Sequence, residues 1–73
     1  MSRSSRAALG LRLRSERKAR NLTQEEFAAL CKMHRNYLSS VERGERNIGF
    51  DNLCRFAQAL DMTLSDLLSD VGK

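Results

Sequence analysis

The sequence predicts an all-α domain, and three observations carry that prediction. There is no proline and there are only four glycines among 73 residues, so few positions interrupt a helix. No stretch alternates β-branched with polar residues, as a half-buried strand would. Apolar residues instead recur at three- and four-residue steps, between short polar breaks that carry helix start signals. The length suggests one domain over residues 1–73, near the lower size for a core without staples.

Residues 1–6, "MSRSSR", are polar and are expected to form a flexible N-terminal arm. The first helix is expected from Ala7 to Arg20, with Leu9, Leu13 and Arg17 at successive i+4 steps on one face. Asn21 then suits a left-handed C-terminal cap. "LTQEEF" starts the second helix: Thr23 caps, Glu26 answers three residues on, and Leu22 can pack against Phe27. Phe27, Leu30 and Cys31 are expected to point inward, with an end near Lys32. The third helix is expected from about His34 to Gly44. The fourth runs from about Phe50 to Leu60, with Phe50, Leu53, Cys54, Ala57 and Leu60 on one stripe. "MTLSDL" repeats the earlier start device: Thr63 caps, Asp66 is third, Met62 faces Leu67, and the helix frays near Asp70.

Composition excludes several classes. No apolar run approaches a transmembrane span, and no apolar core follows the Arg-rich N-terminus as in a signal peptide, so a cytoplasmic protein is expected. Cys31 and Cys54 fall within apolar helical patterns and read as reduced core residues. Cys31 and His34 have a helical ligand spacing, but a structural zinc site wants four ligands and His34 is the sole histidine. No metal or other cofactor is expected. That histidine has no identifiable nucleophile partner, so no enzyme is expected.

Charge is uneven. Residues 1–48 hold eleven Lys/Arg against five Asp/Glu, a balance of +6; residues 49–73 hold two against four, a balance of −2. A basic front half suggests one face meeting a polyanion. On the third helix, Val41, Glu42 and His34 lie within about 60° of Leu38 and face the core or its border. Asn36, Ser39, Ser40 and Arg43 fall opposite, and Arg35 flanks them in the first turn. Guanidinium, amide and hydroxyl groups form directional bonds to base edges in a major groove.

The stretches "LTQEEFA", "HRNYLSSVERGERN" and "LCRFAQALDMTLSDLL" together resemble the helix-turn-helix domain of the Cro/cI-type regulators, the XRE family. The likeness covers about residues 9–70. "RNYLSSVERGERN" is especially similar to the controller proteins of restriction–modification systems. The resemblance implies a five-helix, lambda-repressor-like fold with the third helix in the major groove. It places Arg35, Asn36 and Ser40 at base-reading positions, with Ser39 beside them. Gln24, Tyr37, Arg43, Arg46 and Asn47 would touch the phosphate backbone. Arg17 and Glu42 match a partly buried ion pair joining helices one and three. Two departures stand out. Lys32 replaces the usual glycine of the turn, where a left-handed L-residue costs roughly 1–2 kcal/mol, so a differently shaped turn is expected. Gly49 replaces a stronger helix cap.

The implied function is a sequence-specific regulator of double-stranded DNA, a homodimer on a pseudo-palindromic operator. It would repress by blocking RNA polymerase or activate by contacting it. Leu64, Leu67, Leu68 and Val71 give the last helix more apolar residues than so small a core needs. Leu64 and Leu68 are therefore expected at the dimer interface, Leu64 also by the resemblance. Two other readings stand beside this one: a DNA-binding antitoxin, which would co-purify with a small toxin, and a protein-interaction module that binds no DNA.

Overall fold

The computed structural model describes residues 1–69 and 71. Five helices follow one another: α1 (Arg3–Ala19), α2 (Gln24–Cys31), α3 (Arg35–Glu42), α4 (Phe50–Ala59) and α5 (Leu64–Leu67). Among the described residues there is no strand. The all-α reading and its element order hold. The point where the sequence frays, Asp70, lies outside the described residues.

The expected N-terminal arm is instead the first turn of α1. Ser2 caps the helix, its hydroxyl accepting from the Ser5 amide at 3.1 Å. Farther in, Arg6 donates to the Asn47 side chain at 3.1 Å and ties this turn to the α3–α4 loop. A polar composition was a poor guide here, because serine is also a strong N-cap.

At α2 both halves of the capping box form: the Glu26 amide donates to Thr23 Oγ1 at 3.1 Å and the Thr23 amide to Glu26 Oε1 at 2.9 Å. At α5 Thr63 accepts from the Asp66 amide at 3.0 Å. Gly49 caps α4 without a side-chain bond, as its missing side chain requires.

One device closes the first four helices. Asn21, Lys32, Gly44 and Asp61 all adopt positive φ, at 58°, 57°, 76° and 55°. The next amide in each case reaches back five residues: Leu22 to Arg17, Met33 to Ala28, Glu45 to Ser40 and Met62 to Ala57. Carbonyls left open at the helix ends are thereby satisfied. Lys32 thus takes the left-handed turn that its side chain disfavours, and the turn keeps its shape. The two bonds from Lys32 and Met33 offset the steric cost.

The core is built from Leu9, Leu13, Phe27, Leu38, Val41, Phe56, Leu60 and Leu67, all nearly inaccessible. The Phe27 and Phe56 rings meet at 6.1 Å between centroids and link α2 to α4. Cys31 is buried and Cys54 half-buried, both as free thiols. Burial pushes the Cys31 thiol up to about 12, which leaves it protonated and inert. Two inward assignments fail: Leu30 is 57% exposed and Phe50 67%. Each lies at the edge of its stripe, and among the described residues nothing covers it.

Helix α1 lies against α3 closely enough to need a glycine. A Cβ on Gly10 would stand 2.6 Å from the carbonyl oxygens of both Val41 and Glu42. Gly10 therefore sets the spacing between α1 and the helix that carries the site.

Candidate DNA interface

Arg17 and Glu42 form the internal joint beneath α3. Arg17 Nε donates to Glu42 Oε2 at 2.8 Å and Nη2 to Oε1 at 3.0 Å, a fork-to-fork pair. Their side chains are only 9% and 4% exposed. The third nitrogen, Nη1, donates to the Leu22 carbonyl at 2.8 Å. Gln24 Nε2 adds a bond to Glu42 Oε1 at 3.1 Å, so the start of α2 is keyed to the same carboxylate. The predicted ion pair is thus present, and it joins α1, α2 and α3.

Helix α3 turns Arg35 and Asn36 to solvent. Neither side chain makes a hydrogen bond or ion pair among the described residues. Arg35 borders an open recess of about 480 Å³ shared with Arg17, Thr23, Gln24 and Glu25. Ser39 is half-buried and its hydroxyl accepts from Arg43 Nη1.

Ser40 departs from its expected place. It is 6% exposed, donates to the Tyr37 carbonyl at 2.7 Å and accepts from Arg46 Nε at 3.1 Å. In the free protein this hydroxyl is thus taken up by two protein partners. The helical angle correctly put Ser40 away from Leu38, but the chain beyond α3 folds back over it.

That returning chain carries most of the expected backbone contacts. The Arg46 guanidinium stacks over the Tyr37 ring at 5.6 Å from its centroid. Tyr37 in turn accepts at its hydroxyl from Asn52 Nδ2 at 3.1 Å. Arg43 is paired with Glu45 through two bonds of 3.0 and 3.1 Å. The pairing holds the Glu45 carboxyl below the usual carboxylate range. Asn47 is exposed and bonded to Arg6. Sequence reasoning missed Arg6, Glu45 and Asn52. Arg6 and Asn52 meet their partners only through the fold, whereas the two-residue spacing of Arg43 and Glu45 was visible.

On α5, Leu64 and Leu68 are both half-buried. Leu68 packs against the core together with Val71, whereas Leu64 is outside that cluster. No described helix is long and apolar enough to cross a membrane. Among the described residues no group of three or more His, Cys, Asp or Glu gathers to hold a metal.

Comparison with known proteins agrees with this geometry. The helix-turn-helix family HTH_3 matches residues 13–67. Control protein C.MunI of Mycoplasma sp. is 43% identical over 65 residues, 88% of each chain. Control protein C.BamHI of Bacillus amyloliquefaciens is 38% identical over 69 residues, 93% of this chain and 85% of the relative. The crystal structure of the restriction–modification controller protein C.AhdI from Aeromonas hydrophila superposes with a TM-score of 0.82 at 40% identity, covering 85% of this chain and 94% of that one. These relatives are regulators and not enzymes. The chain belongs to the HTH_3 helix-turn-helix family, the XRE type, as a transcriptional regulator similar to the restriction–modification controller proteins.

Proposed function

We propose that the chain binds a specific, pseudo-palindromic operator in double-stranded DNA as a homodimer, with α3 in the major groove. One observation carries the reading: among the described residues, Arg35 and Asn36 stand exposed and unpartnered in the first turn of α3, whose inner side is locked by the buried ion pair. Arg bonds bidentately to guanine and Asn to adenine, so these two would set specificity, with Ser39 beside them. Gln24, Tyr37, Arg43, Arg46 and Asn47 would hold phosphates. Leu64 would anchor the dimer, with Leu68 behind it. A cytoplasmic protein occupying a promoter in this way would block RNA polymerase or recruit it. The likeness to restriction–modification controllers supports such a setting for this chain.

The test is selection of bound duplexes from a random pool, followed by a search of the winners for two-fold symmetry. Half-site centres roughly 34–36 Å apart are expected. Arg35→Ala should then cost about 1–3 kcal/mol on the selected site and relax one base pair per half-site. Equal losses on selected and random DNA would reduce Arg35 to a phosphate contact. A pool that yields no enriched sequence would sink the reading.

A further inference from the structure

Arg43 and Arg46 carry the same charge at the end of α3, yet their partners differ in kind. Arg46 is held by the Tyr37 ring and by the Ser40 hydroxyl. Both of these partners are neutral, and Glu45 acts on Arg46 only through a weaker charge interaction without a hydrogen bond, so most of the Arg46 charge remains available at the surface. Arg43 is held by a carboxylate. Its Nε and Nη2 donate to the two oxygens of Glu45 at 3.0 and 3.1 Å, and its Nη1 donates to Ser39. All three guanidinium nitrogens are occupied. Two parallel N–H bonds to two oxygens are also how arginine grips a phosphate.

We propose that Glu45 is an internal competitor for DNA phosphate, occupying Arg43 in the free protein and thereby setting the affinity of the DNA face. This rests on the DNA-binding reading above. The side chains of Arg43 and Glu45 are each 56% exposed, so the pair is accessible and contributes little to folding. Docking on DNA exchanges the carboxylate for a phosphate and leaves Glu45 facing a polyanion. Ser39 is bonded to the same guanidinium, so freeing Arg43 also frees a hydroxyl beside the base-reading pair. Arg46 supplies the constant attraction and Arg43 the part that Glu45 withholds. Glu45 stays ionised at neutral pH, because the Arg43 hydrogen bonds and the nearby Arg46 charge favour its charged form.

The experiment is fluorescence-anisotropy titration of a random-sequence duplex with wild type, Glu45→Gln, Arg43→Ala and the double variant, across a salt series. Circular dichroism confirms that each is folded. Glu45→Gln should bind about two- to fivefold tighter at low salt, the equivalent of one exposed ion pair. Its salt slope should steepen by up to about one, since Arg43 now counts as a free cation. In the Arg43→Ala background the same change should have little effect, because the competition has no object. Unchanged or weaker binding by Glu45→Gln overturns the proposal, as does equal tightening in both backgrounds, which would be general charge repulsion. A wild type that binds no duplex at low salt overturns the DNA-binding reading itself, a separate outcome.

Discussion

Replacing Glu42 with Ala should act through folding before it acts on DNA. The carboxylate accepts two bonds from Arg17 and one from Gln24, at 2.8, 3.0 and 3.1 Å. Its loss strands the Arg17 guanidinium, whose side chain is 9% exposed, with only the Leu22 carbonyl as partner. Removing one member of a buried pair costs about 3–5 kcal/mol, because the remaining charge stays desolvated and uncompensated. A chain of 73 residues has roughly 4–11 kcal/mol of total stability by the usual per-residue figure. The variant should therefore sit near the edge of folding. Urea melts followed by circular dichroism provide the assay. With a slope of about 1 kcal/mol per molar, the midpoint should fall by about 3 M or more. The double variant Arg17→Met with Glu42→Met should recover most of the loss, since no unpaired charge remains. A Glu42→Ala loss below about 0.5 kcal/mol is the size of an ordinary surface change and would refute the reasoning.

Gly10→Ala should destabilise by about 1–3 kcal/mol, because the new methyl meets two backbone carbonyls that cannot swing aside. Helix propensity alone predicts a gain of about 1 kcal/mol, so the sign of the change in a urea melt separates packing from propensity. Lys32→Gly should stabilise by up to about 1 kcal/mol through relief at φ 57°, read as a rise of a few degrees in Tm; a fall would mean the lysine side chain is needed there. Leu64→Glu should give a folded monomer with weak operator binding. Sedimentation of both proteins checks it, and a variant that stays dimeric, or a wild type that is monomeric at high concentration, removes Leu64 from the interface.

Much of the fold was legible because its signals are local. Thr23 with Glu26, and Thr63 with Asp66, are start devices contained within four residues; the first formed with both reciprocal bonds and the second through the Thr63 cap. The Leu9, Leu13 and Arg17 stripe put a charge on an apolar face and angle counting put Glu42 beside the core, while their pairing was implied by the family resemblance; both residues are buried. What failed depended on neighbours far along the chain. Leu30 and Phe50 fit their stripes by angle, yet whether a stripe edge is covered is decided by where other helices end. The first turn of α1 was lost for a related reason: a short polar run reads as an arm until one of its serines is seen to cap. Gly10 was invisible altogether, since nothing in a single helix pattern says that another backbone passes within contact of it.

The site divides along the same line. Angle counting placed Asn36 and Ser39 on the outer side of α3, with Arg35 at its flank, because that property belongs to one helix. It could not separate Ser40 from them, although Ser40 is buried and doubly bonded. The difference comes from residues 43–47, which leave the helix at the left-handed Gly44 and turn back over its end. The same return brings Arg46 onto Tyr37 and sets Glu45 against Arg43. Each expected backbone contact on this segment is therefore qualified by a partner: a neutral one for Arg46, an anionic one for Arg43, and the α1 arginine for Asn47. A face of a helix states which groups can meet DNA, whereas their availability is set by the loop that follows. Helix α3 and the loop to α4 thus act as one unit, and substitutions at Gly44 should disturb both together. A side chain there would be strained at φ 76° and would press on Ala7, shifting Arg43, Arg46 and Asn47 at once while leaving Arg35 and Asn36 in place. Gly44→Ala should accordingly weaken binding to all duplexes alike and preserve the preferred sequence. A changed preference in the selected pool would show that the loop also steers the reading helix.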